Sequence, residues 1–63
     1  MADLYIHNEG TIFLVYPLTD DGLTWVKAHI PADAQRHGHA IGVKHRYITD
    51  VVAGAIHDGL EVS

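Results

Sequence analysis

Sixty-three residues make one small domain, 1–63, of a size that buries only about 60% of the unfolded chain's surface and is marginally stable without a staple or a partner. The absence of cysteine excludes disulfides and thiolate chemistry, and eight acidic against four basic side chains give a net charge of −4 that opposes nonspecific attraction to phosphate backbones. The longest apolar stretch, Thr11 to Leu18, is too short for a membrane span. Met1-Ala2-Asp3 lacks the basic region and apolar core of a signal peptide, so a cytoplasmic protein without membrane contact is expected.

The chain opens on a hairpin signal. Leu4 to His7 and Thr11 to Tyr16 flank Asn8-Glu9-Gly10, a three-residue loop with Gly at the left-handed position. In that register Ile6 faces Ile12, Leu4 faces Leu14 and Ala2 faces Tyr16 on one side, while Tyr5 faces Phe13 and Asp3 faces Val15 on the other. Both sides are largely apolar, which is more than a half-solvated sheet needs.

After Pro17-Leu18 the period changes. Thr19 is an expected N-cap, and Asp20 and Asp21 sit where the positive end of a helix dipole favours carboxylates. Leu23, Val26 and Ile30 recur at helical spacing with Trp25 beside them, and Pro31 ends the run. Residues from Pro31 through Gly38 read as a loop, with room for a helical turn at Ala32 to Gln35. From His39 the chain alternates again, with Ile41, Val43, His45 and Tyr47 on the core side and Ala40, Gly42, Lys44 and Arg46 on the other.

A second helix is expected to start at Thr49 as N-cap, with Ile48 stapled onto Ala53 and with Val52, Ala55 and Ile56 as its buried stripe. Gly59 reads as a left-handed cap that folds Leu60 back towards Ala55, ahead of a short end strand Leu60-Glu61-Val62.

The expected fold is therefore α+β, a small two-layer sandwich of order ββαβαβ, with both helices on one face of a three- to four-stranded mixed sheet. A right-handed crossover through the first helix makes the second and third strands parallel neighbours. The core then holds Leu4, Ile6, Ile12, Leu14, Trp25, Val26, Ile30, Ile41, Val43, Val52 and Ile56.

That arrangement leaves Tyr5, Phe13 and Val15 beside Lys44 and Arg46 on the uncovered face, an expected partner-binding surface with aromatic anchors in a polar rim. A homodimer through this face would supply burial that the monomer lacks. The alternative is single-stranded nucleic-acid binding, in which the rings stack unpaired bases and the cations neutralise phosphates. No Gly-aromatic RNA-binding motif accompanies it.

Six histidines are the other unusual count. His37 and His39, one residue apart, are candidate ligands for zinc, copper or nickel, with His29 as a third if the loop folds back. His45 lies about 20 Å along an extended strand from His39 at roughly 3.3 Å per residue, too far to share an ion. Two ligands do not make a site, and no cofactor is expected. Catalysis is not expected either, because the only serine is Ser63 and neither a phosphate-binding Gly-rich loop nor a nucleophile elbow occurs.

The segments Asn8-Glu9-Gly10-Thr11-Ile12-Phe13, Pro17-Leu18-Thr19, Trp25-Val26, Asp33-Ala34-Gln35, and His45-Arg46-Tyr47-Ile48 through Asp58-Gly59-Leu60-Glu61-Val62 resemble a group of short uncharacterised proteins of bacterial genomes and prophage-like regions. The group has no assigned activity to transfer. Its members tend to carry an aromatic after the Ala-Gln pair, where this chain has Arg36-His37. The resemblance, together with the acidic charge, implies a phage-type inhibitor of a host defence complex, anti-CRISPR-like in kind, as the most specific form of a protein-interaction module.

Overall fold

The computed structural model describes residues 1–30 and 36–63, and the side chains of all of these but Arg36 and His37. The helical turn expected at Ala32 to Gln35 and the helix stop at Pro31 lie outside the described residues. The N-terminal hairpin pairs β1 (Leu4–Asn8) with β2 (Ile12–Pro17), but Ile6 lies opposite Val15 instead of Ile12, and His7 lies opposite Leu14. The Glu9 N–H donates to the Ile12 carbonyl at 2.9 Å, which extends the pairing to the tip and leaves only Gly10-Thr11 as the loop. Gly10, at φ 97°, takes the positive-φ position that a two-residue connection needs, and the Asn8 side chain accepts its N–H at 2.8 Å.

A shift of three positions is odd, and side chains alternate with period two, so every residue of β2 changes face. Phe13 and Val15 join Leu4 and Ile6, while Ile12, Leu14 and Tyr16 join Tyr5 and His7. Ile12 and Leu14 are therefore not in the helix-covered core, and Val15 is wholly buried within it.

Next comes α1 (Asp20–His29), capped as expected: the Thr19 hydroxyl accepts the Gly22 N–H at 3.0 Å, and Asp20 and Asp21 occupy the first turn. The chain returns through β3 (Arg36–His37) and β4 (Ala40–Lys44), giving the sheet order β1-β2-β4-β3. The body of the sheet is three antiparallel strands, β1, β2 and β4, and the expected parallel pairing of the second strand with its new neighbour is replaced by antiparallel pairing of β2 with β4. The strand that does run parallel to β2 is β3, two residues long. The turn at Gly38, with φ 65°, folds β4 back between them.

The last element, α2 (His45–His57), begins four residues before the expected Thr49 cap, so His45, Arg46 and Tyr47 are helical and not strand. Its N-cap, Lys44, makes no side-chain capping bond. The gain from the early start is geometric. Ile48, Val51, Val52 and Ala55 fall at i, i+3, i+4 and i+7 and form one stripe against the core. Ile56 lies off that stripe and is 58% exposed, against expectation.

At its C-terminus Gly59, φ 91°, closes a Schellman motif, with Leu60 N–H donating to the Ala55 carbonyl and Gly59 N–H to the Ile56 carbonyl, each at 3.0 Å. The expected end strand is reduced to a parallel bridge of Val62 with Leu4, flanked by bonds from Ser63 N–H to the Leu4 carbonyl and from Ile6 N–H to the Ser63 carbonyl.

The molecule is thus a small α+β domain whose helices contribute Trp25, Val26, Ile48 and Ala55 to the side of the sheet that carries Leu4, Val15, Ile41 and Val43. Leu4, Val15 and Val26 are the largest fully buried side chains, each contributing roughly 1.5–3 kcal/mol by removal from water. Among the described residues no helix is long and apolar enough to cross a membrane.

Candidate functional site

The register decides what the open side of the sheet displays. On that side β1 places Tyr5, His7 and Glu9, the β2 strand and its exit place Ile12, Leu14, Tyr16 and Leu18, and β4 places Ala40, Gly42 and Lys44. Leu14 and Ala40 are buried there as well. Tyr5, 43% exposed, and Leu18, 54% exposed, are the largest apolar groups left in water on this side. The Tyr5 and Tyr16 rings tilt against one another at 5.9 Å, as cross-strand partners do, and the His7 ring lies 6.4 Å from Tyr5 in a stacked arrangement.

Tyr5, His7, Glu9, Tyr16 and Leu18 line a shallow hollow of about 260 Å³. Its one carboxylate, Glu9, lies 3.1 Å from His7 Nε2. The lining therefore carries a single carboxylate although the chain is acidic.

Of the five expected partner-binding residues, only Tyr5 and Lys44 lie on this open side. Phe13 packs against the core, its ring 4.6 Å from that of His45 at the start of α2, and Val15 is wholly inside. Arg46 stands on α2, its guanidinium 5.5 Å from the Tyr47 ring centre. The aromatic and basic groups expected to form one nucleic-acid platform are consequently divided between two sides of the sheet and a helix. Tyr16, His7, Glu9 and Leu18, which sequence reasoning did not place at the site, complete the hollow beside Tyr5. Their signal was the Gly10-Thr11 dipeptide, which permits a two-residue turn and with it the opposite parity.

Of the proposed metal ligands, His39 is exposed on the β3–β4 turn, and the side chain of His37 lies outside the described residues. Among the described residues no group of three or more His, Asp or Glu side chains is placed to hold a metal ion.

Two carboxylates tie the helices and the C-terminal segment into the fold. Asp3 accepts the Glu61 N–H at 3.0 Å and the Thr19 hydroxyl at 2.6 Å, and these bonds, the Glu61 N–H foremost, hold its carboxyl below the usual 3.8. Asp58 accepts the Trp25 indole N–H at 2.7 Å with the His57 ring 3.5 Å from its other oxygen, and it too is held below 3.8, first by the indole and then by His57. No family model, curated protein or solved structure matches this chain.

Proposed function

We propose that the protein works by non-covalent association, docking a polypeptide on the open side of its sheet, and that the first occupant is a second copy of the same chain. The observation that carries this reading is the hollow itself: Tyr5 and Leu18 left in water beside half-buried Tyr16, with His7 and Glu9 at its border. Two chains of net charge −4 repel at long range, and this largely apolar surface, with a single carboxylate in its lining, is where they can approach most closely. Target binding of the anti-CRISPR-like kind would use the same surface. Its support is the acidity of the chain and the sequence resemblance.

Only Tyr5 and Leu18 leave large apolar surface in water on this side, so the complex is weak. Sedimentation should therefore extend from micromolar to roughly 100 µM protein, where a dimer held by only about −5.5 kcal/mol becomes half-formed. The expected result is a concentration-dependent dimer that Leu18→Asp and Tyr5→Asp each abolish while the far-ultraviolet dichroism stays native. A chain that remains monomeric throughout, or a dimer indifferent to both substitutions, overturns the reading.

A further inference from the structure

The His29 ring lies flat on the only tryptophan of the chain, with centroids 4.5 Å apart and planes within 18°. Its Nδ1 is 2.9 Å from the Trp25 carbonyl oxygen, one turn earlier in α1. A carbonyl only accepts, so Nδ1 holds the proton of the neutral ring, and Nε2 is left with a bare lone pair. That lone pair faces Asp58 Oδ2 at 3.5 Å, the same oxygen that receives the Trp25 indole N–H. Two acceptors thus confront each other across the gap between the end of α1 and the C-cap of α2. A proton added at Nε2 converts that confrontation into a charge-assisted hydrogen bond.

We propose that His29 is a proton-operated clasp: protonation at Nε2 fastens the C-terminal end of α2, through Asp58, onto the Trp25–His29 stack of α1. The groups that act on it are Asp58 across the gap, His57 on the far oxygen of that carboxylate at 3.5 Å, and Lys27 in its own last helical turn. The His57 ring also touches Asp58, but from within α2, and so ties nothing across the helices. What the clasp secures is the segment that follows Asp58. Leu60 is tied to Ala55 and Ser63 to the Leu4 carbonyl, so tightening at Asp58 holds the C-terminal residues along the edge of β1. Protonation of Nε2 closes the clasp, and loss of that proton opens it.

Trp25 reports on the switch, because an imidazolium lying on the indole accepts charge from its excited state and lowers its emission. The test is a titration of tryptophan emission from pH 8.5 to 5 at fixed ionic strength, combined with amide-exchange protection factors at Leu60 and Ser63, which are corrected for the intrinsic pH dependence of exchange. For the unaltered chain the emission is expected to fall, and protection at both amides to rise at least threefold, between pH 8 and 5.5. His29→Gln, which keeps a polar group of similar reach, should abolish both responses. Asp58→Asn, which can still accept the indole N–H, should keep the emission response and lose the gain in protection, and His57→Gln should keep both. Responses that survive in His29→Gln, or protection that does not change with pH in the unaltered chain, overturn the proposal.

Discussion

Gly22 and Asp3 are in closer apposition than any other residue type at position 22 would allow: a Cβ on Gly22 would sit against the backbone carbonyl of Asp3, far inside contact distance, with Leu4 Cδ2 only 3.3 Å away. The Asp3 carbonyl in turn accepts the Leu18 N–H at 2.8 Å, and its carboxylate accepts the Thr19 hydroxyl. The first turn of α1 is thereby seated on the start of β1. At an exposed helix position Gly→Ala stabilises by about 1 kcal/mol. Here the sign should reverse, because displacing backbone costs about 1–3 kcal/mol beyond any helix gain. Gly22→Ala is expected to lower the melting temperature by roughly 4–24 °C, as measured by thermal denaturation.

The two carboxylates that tie the helices and the C-terminal segment into the fold set the acid limb of stability. Asp3 is held below 3.8 chiefly by the Glu61 N–H, and Asp58 chiefly by the Trp25 indole. A group whose folded value is depressed contributes fully above its unfolded value and loses that contribution as pH falls through the folded value. Stability should therefore be level with respect to these two groups above about pH 5 and should decline below pH 4. Asp3→Asn and Asp58→Asn should each flatten that decline in urea unfolding curves measured from pH 6 to 2.

The two sides of β2 make opposite predictions. Val15 is wholly buried opposite Ile6 and Ile41, so Val15→Asp places an unpaired carboxylate in the core and should leave the chain unfolded at 25 °C. Tyr5 and Leu18 are half in water, and their aspartate variants should fold, with losses of about 1 kcal/mol or less. Had the three-residue loop been correct, Val15 would have faced away from the helices and tolerated the charge. Circular dichroism of the three variants decides between the registers.

The helix ends give a graded pair. Gly59, at φ 91°, has open space where a Cβ would sit, so Gly59→Ala costs only the backbone strain of the left-handed conformation, about 1 kcal/mol. Ile56→Lys removes an apolar side chain that is already 58% exposed and should change stability by less than about 0.5 kcal/mol. If Ile56 belonged to the buried stripe, the same change would cost several times more. Chemical denaturation of both variants measures the difference.

Local chemistry in the sequence determined the features that short stretches of chain decide for themselves. Thr19 with Asp20 and Asp21 fixes the start of α1, and Gly59 with Leu60 fixes the end of α2, because capping bonds span only three to five residues and do not depend on distant neighbours. The α+β class follows in the same way from the alternation of periods. Tertiary structure alone decided the faces. Both parities of β2 are apolar, Ile12, Leu14 and Tyr16 on one side and Phe13 and Val15 on the other, so alternation could not choose between them.

The choice fell to a turn one residue shorter than expected and to which set best filled the space beneath Trp25, Val26 and Ile48. The start of α2 was hidden for a similar reason. Residues His45 to Tyr47 continue a strand-like alternation, and only the burial of Ile48 and Ala55 on a common stripe makes helix the better use of them. Alternation and capping are local energies of about 1 kcal/mol, whereas placing whole side chains in a shared core combines the burial of several large apolar groups at once.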